Sequence, residues 1–171
     1  MVVFSRLRDS RAKSDEISSQ KTSLKPWQTL VKGQMFRWTY PVAKGMGFAQ
    51  GEIVLEVGYD ADCDDILRKE ITTTTGTKFV EGTATEVVDA VILWWRDGDG
   101  DLVDELMDAL TYLSETGPIW VLTPKVGRDG HVEPSDIQDA APIAGLSQTS
   151  TLVVANDWTA TRLVARKAGK R

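Results

Sequence analysis

Two stretches of this 171-residue sequence carry side chains whose types and spacing suit chemistry. The first is Arg96-Asp97-Gly98-Asp99-Gly100-Asp101, followed by Glu105 and Asp108. Its acids fall at the first, third, fifth, ninth and twelfth places of a calcium-binding loop, where oxygen ligands recur at such intervals. The sixth place, which needs glycine for the sharp turn, is Leu102, and the last ligand is the shorter Asp108 rather than a bidentate glutamate. A turn followed by a capped helix accounts for the same residues, so no metal is expected. The second stretch holds Lys125 and His131. Set with Arg96 against Asp97 and Asp99, they form a group suited to binding an anion or moving a proton, because imidazole titrates near neutral pH. The plainer reading of one histidine in a glycine-rich loop is a surface residue. Both stretches follow predicted strands and should meet, with Trp158, at the strand ends where open α/β sheets bind ligands.

Other chemistry is excluded by what the sequence lacks. With one cysteine, Cys63, and one histidine, neither an internal disulfide nor an ordinary zinc site can form. There is no phosphate-binding glycine loop with its lysine, no nucleophile elbow, no HExxH and no CxxC. No catalytic residue and no cofactor are therefore assigned.

The elements that must position these residues are legible as periodicities. Gly51 to Gly58 is a β-branched run between glycines, which predicts a strand. Asp62 then precedes Ile66, Leu67 and Ile71, a short amphipathic helix that Thr72 to Thr75 should close poorly. Lys78 to Glu81 reads as a short strand. Val87 to Trp95 is nearly continuous apolar β-former, the pattern of a parallel strand covered on both faces. Leu102, Val103, Leu106, Met107, Leu110 and Leu113 share a helical face, ended by Gly117-Pro118. Ile119 to Thr123 is another buried strand. Ser135 to Ala144 is a helix led by Pro134, and Ser150 to Ala155 with Thr161 to Ala165 form a hairpin around Asn156-Asp157-Trp158. This order predicts an α/β, Rossmann-like fold, class I methyltransferase-like, with a mostly parallel sheet and a C-terminal antiparallel hairpin.

Charge divides the chain. Residues 1–50 hold nine basic and three acidic side chains, 51–160 hold six and 22, and 161–171 hold five and none, so the middle carries −16 between ends of +6 and +5. Residues 1–38 read as a basic, flexible arm, residues 40–167 as one α/β domain and residues 168–171 as a basic tail. So acidic a domain would repel duplex DNA, which favours a protein partner, as yet unidentified, over nucleic acid. No apolar run approaches a membrane span, and the apolar residues near Met1 are too few for a signal peptide; with a single thiol this points to a cytoplasmic protein without membrane contact.

Four strings together carry a family resemblance: Leu93-Trp94-Trp95-Arg96-Asp97-Gly98-Asp99-Gly100-Asp101-Leu102, Ile119-Trp120-Val121-Leu122-Thr123-Pro124-Lys125, Gly130-His131-Val132-Glu133-Pro134-Ser135, and Trp158 to Val164. Over about residues 40 to 167 the chain resembles the family known as domain of unknown function 3052, common in actinobacteria. The resemblance implies a compact, cytoplasmic, Rossmann-like domain with no assigned reaction. It also implies that Glu56-Val57-Gly58, the Glu-x-Gly that opens a methyltransferase cofactor site, is a relic here, because Tyr59-Asp60-Ala61-Asp62-Cys63-Asp64-Asp65 replaces the glycine loop. Acidic helix capping is the better account of that run. The expected role is a non-catalytic regulatory or adaptor protein on a degenerate methyltransferase-like domain. The alternative is a small-molecule enzyme or binder, of an adenosyl compound or an anion, at the cleft beside Asp97, Lys125 and His131.

Overall fold

The computed structural model of the chain describes residues 28–31, 34–37, 41–81 and 85–167. It contains two compact units, residues 1–40 and 41–171. In the first, β1 (Gln28–Val31) pairs antiparallel with β2 (Gln34–Arg37), in a register joining Gln28 to Arg37 and Val31 to Gln34. This small hairpin lies within the stretch read from sequence as an arm. The rest of that arm, and the tail 168–171, lie outside the described residues.

The second unit runs α1 (Val42–Gly45), β3 (Val54–Val57), α2 (Asp65–Thr75), β4 (Val80–Glu81), β5 (Ala90–Trp94), α3 (Leu102–Tyr112), β6 (Pro118–Pro124), α4 (Pro134–Ile143), β7 (Leu146–Val153) and β8 (Trp158–Ala165). One six-stranded sheet has the order β4-β3-β5-β6-β8-β7. Strands β4, β3, β5 and β6 are mutually parallel, and β8 runs antiparallel to both β6 and β7. The predicted hairpin is present, but its strands begin four and three residues earlier than expected, so that Trp158 opens β8 instead of lying in the turn, and its second strand is the interior one. Burial explains this: Trp158, Ala160, Thr161 and Leu163 of β8 are buried, whereas Gln148 to Thr151 of β7 are exposed and suit the sheet edge.

All five residues of β5 are buried, because the sheet is covered on both faces. On one face Val54, Ile92, Trp94, Trp120, Leu122, Trp158 and Ala160 meet α1 and α2 through Ala43, Leu67 and Ile71. On the other, Leu55, Val91, Leu93, Ile119, Val121 and Leu163 meet α3 and α4 through Leu102, Leu106, Ile137 and Ala141. Helix α2 does not fail at its threonines. The Thr72 and Thr75 hydroxyls donate to the carbonyls of Arg68 and Ile71 one turn back, Thr75 is buried, and left-handed Gly76 closes the helix. Asp64 and Asp101 cap α2 and α3, each accepting a backbone N–H of the first turn. Among the described residues no helix is long and apolar enough to cross a membrane.

Candidate functional site

The parallel strands β3, β5 and β6 end on one side of the sheet. Chain order reverses between β3 and β5, since β4 lies beyond β3 on one side and β6 beyond β5 on the other. Open α/β sheets bind their ligands in the crevice at such a point.

Glu56 occupies this end of β3, with a side chain only 1% exposed. Its carboxylate is fully committed. Arg68 of α2 donates from Nε to Oε1 at 2.7 Å and from Nη2 to Oε2 at 2.8 Å, and the Trp94 indole Nε1–H donates to Oε1 at 3.0 Å. The Arg68 guanidinium lies over the Tyr59 ring at 3.8 Å and donates to Asp65 at 3.2 Å. Hydrogen bonding to Glu56, above all, raises the affinity of Arg68 for its proton. The Glu of Glu-x-Gly thus anchors helix to sheet from inside the domain.

The glycine also serves the sheet. Gly58 has φ +74°, and a Cβ there would lie 2.2 Å from the Trp94 carbonyl oxygen. Gly58→Ala is expected to destabilise the domain by about 3 kcal/mol, of which the positive φ supplies roughly 1 and separation of the two strand ends the remainder. Urea denaturation followed by circular dichroism measures this. An unchanged midpoint would show that β3 and β5 part there without cost.

Arg96, the first residue after Trp95, lines the crevice. Nε and Nη2 grip the Asp62 carboxylate, Nη1 donates to the Gly58 carbonyl at 3.0 Å, and Nη2 also meets Cys63 Sγ at 3.3 Å. The guanidinium lies 5.2 Å from the Trp158 ring centre. Trp158 is buried, packs edge-to-face on Trp94 at 4.8 Å and donates its indole N–H to the Asp62 carbonyl at 3.2 Å. The hydrogen bonds from Arg96 hold the Asp62 carboxyl below its ordinary range. Burial pushes the Cys63 thiol up, which keeps it protonated and poorly nucleophilic at neutral pH. What stays open is a hollow of about 300 Å³ lined by Tyr59, Asp60, Arg96, Asp99 and Glu105 among others.

Asp99 accepts from the Arg96 backbone N–H at 2.9 Å, and Asp101 caps α3. The exposed Asp97 is tied through its backbone N–H to the Gly130 carbonyl at 3.0 Å. Leu102 begins the helix, so the backbone turns into α3 where a calcium loop would wrap an ion. Among the described residues no three His, Cys, Asp or Glu side chains are grouped to hold a metal ion.

Lys125 and His131 face a second cavity, of about 460 Å³, on the α4 side of the sheet. His131 Nδ1 lies 2.8 Å from the Pro124 carbonyl, which can only accept, so Nδ1 carries the proton. Nε2 is buried without a hydrogen-bond partner and sits 3.6 Å from Glu133. Lys125 Nζ donates to the Asn156 carbonyl at 2.8 Å. The structure therefore brings Arg96, Asp99 and Trp158 together at the crevice and Lys125 with His131 in the other cavity. Trp158 belongs to the α2-side core, and the next residue, Thr159, lines the cavity on the opposite face, so the sheet separates Trp158 from Lys125 and His131.

Sequence reading does not pick out Arg68, and it treats Glu56 as part of a relic motif and Asp62 as helix capping rather than as residues that pair in the crevice. A signal was present: residues 51–160 contain three arginines, Arg68, Arg96 and Arg128, against 22 acids. Each of the three is ion-paired, the last with Asp157.

Comparison with known proteins places this geometry. The family described as "Protein of unknown function (DUF3052)" matches residues 43–167. An uncharacterized protein of Mycobacterium tuberculosis and one of Mycobacterium bovis are each 50% identical over 131 residues, 75% of this chain and 82% of each relative. Among solved structures, the mitomycin 7-O-methyltransferase MmcR aligns with a TM-score of 0.53 at 10% identity, over 74% of this chain and 53% of its own. The pyocyanin biosynthetic protein PhzM also aligns at 0.53, with 11% identity over 74% and 54%. At such identities the likeness is one of fold, and the fold is that of a class I methyltransferase, a mostly parallel sheet with an antiparallel C-terminal pair.

Proposed function

Since this chain belongs to the DUF3052 family, a family of unknown function on a methyltransferase-like fold, we propose that it is a non-catalytic protein-interaction domain whose cofactor crevice is taken up by its own side chains. One observation carries the reading: Arg96, Asp62 and Trp158 lock together at the strand ends where such a fold holds its ligand. An adenosyl group does not fit the residues present. A close backbone cradle needs several glycines, whereas here only Gly58 remains, and it is spent on the approach to Trp94. Asp60, Asp99 and Glu105 would face the ligand's carboxylate, and the cation among these lining residues, Arg96, is already paired. No reaction step is assigned.

The −16 of residues 51–160, flanked by basic ends, supports contact with a protein partner through charge. Fractionation of native lysate by size tests this. At low ionic strength the chain is expected to elute well ahead of the purified chain alone. At about 1 M salt, where the screening length falls to roughly 3 Å, it is expected to elute with it. Elution as the free chain at low salt would overturn the interaction reading. Saturable heat on titrating the purified chain with S-adenosylmethionine would overturn the closed crevice.

A further inference from the structure

We infer that the cavity between α4 and the β6-β8-β7 part of the sheet is a binding site for a small amphipathic monocarboxylic acid. The inference is independent of the reading above, because the cavity lies across the sheet from the packed Trp158 and shares no lining residue with the crevice.

Its floor is set by strand register. Thr123 of β6 pairs with Thr159 of β8, which pairs with Val153 of β7, and Thr161 of β8 pairs with Thr151 of β7. Side chains alternate along a strand, so these residues present one face, and all of them line the cavity. Four hydroxyl groups thus line one face of three adjacent strands, two of them, on Thr123 and Thr161, where a sheet interior ordinarily carries aliphatic side chains. Thr123 and Thr161 are buried all the same. The walls are apolar: Val132 and Ile137 from the core side, and Val126 and Val153, which are 83% and 67% exposed. Two valines so exposed at the mouth of one cavity leave apolar area in water that a ligand would cover. A volume of about 460 Å³ falls in the range of small-molecule sites, mostly apolar with a few polar groups that fix orientation.

Charge decides the class of ligand. No aspartate or glutamate lines this cavity, although residues 51–160 contain 22, and its one lysine is Lys125. Lys125 is half-buried, its Nζ rests on a neutral carbonyl, and among the described ion pairs it takes no carboxylate. In so acidic a domain a carboxylate-free apolar cavity with one ammonium at its edge selects a single negative charge on an apolar body. The carboxylate would meet Lys125 and the threonine hydroxyls, and the body would lie along Val126, Val132 and Val153.

Decanoate is a suitable probe, with decanol and decylamine as controls, added to the ¹⁵N-labelled full chain below about 1 mM. Saturable shifts of the Thr123, Thr151, Thr159 and Thr161 amides are expected. Lys125→Met is expected to weaken decanoate by about tenfold, the worth of one charged hydrogen bond, and to leave decanol unchanged. Val153→Glu, which sets a carboxylate at the mouth without touching the core, is expected to abolish decanoate binding. Decanoate shifts absent from these threonines, equal affinity for decylamine, or undiminished decanoate binding in either variant would overturn the proposal.

Discussion

Trp158→Ala is expected to cost about 3–5 kcal/mol of unfolding free energy, the usual range for emptying a buried aromatic site. Trp158 is 3% exposed and joins elements far apart in the chain. Its ring packs edge-to-face on Trp94 in β5, its indole N–H reaches the Asp62 carbonyl ahead of α2, and the Arg96 guanidinium lies over it. Truncation removes that packing together with a hydrogen bond, and leaves the Asp62 carbonyl to find another donor. Urea denaturation at constant m-value measures the loss. Trp158→Phe keeps an aromatic ring against Trp94 and is expected to cost less, because the indole N–H contributes only about 1 kcal/mol net. A loss below about 1 kcal/mol for the alanine variant would show that the hairpin does not hold the crevice closed.

The second large effect is expected at Arg68. Arg68→Met leaves Glu56 charged, 1% exposed and held by the Trp94 indole without its cation, and an unpaired buried charge costs about 3–5 kcal/mol. The informative measurement is the double variant Glu56→Gln with Arg68→Met. The glutamine oxygen still accepts from Trp94 and no charge is buried, so most of the stability should return. A double variant as unstable as Arg68→Met alone would assign the loss to packing instead, since Arg68 also covers the Tyr59 ring.

These expectations concern a region that sequence reading approached without resolving. Glu56-Val57-Gly58 has the form of a cofactor motif, and its location at the end of β3 is right. Its use is different. Glu56 is spent on Arg68 and Trp94, and Gly58 on the Trp94 carbonyl. The turn-and-cap reading of Asp97 to Asp101 agrees with Asp99 bonding the Arg96 N–H and Asp101 capping α3, because cap chemistry acts within three or four residues. Lys125 and His131 do line one cavity, but across the sheet from Trp158.

Strand and helix placement from β3 to α4 followed from local patterns, whereas α1 and the first residues of β7 and β8 did not. Continuous apolar β-formers specify β5 and β6 as doubly covered strands, helical spacing specifies α3, and Asp, Gly and Pro mark the ends, since each signal acts over one or two turns or pleats. The element order was then enough for the α/β class and its antiparallel end. Which carboxylate each arginine holds lay beyond such patterns. Arg96 reaches Asp62 across 34 positions, Trp94 reaches Glu56 across 38 and Trp158 reaches Asp62 across 96. A charge attracts every opposite charge in range and has no period along the chain, so among 22 acids the partner is chosen by sheet order and by which face each side chain takes. The same alternation decides that Trp158 packs into the α2-side core while Thr159, one residue on, opens into the other cavity.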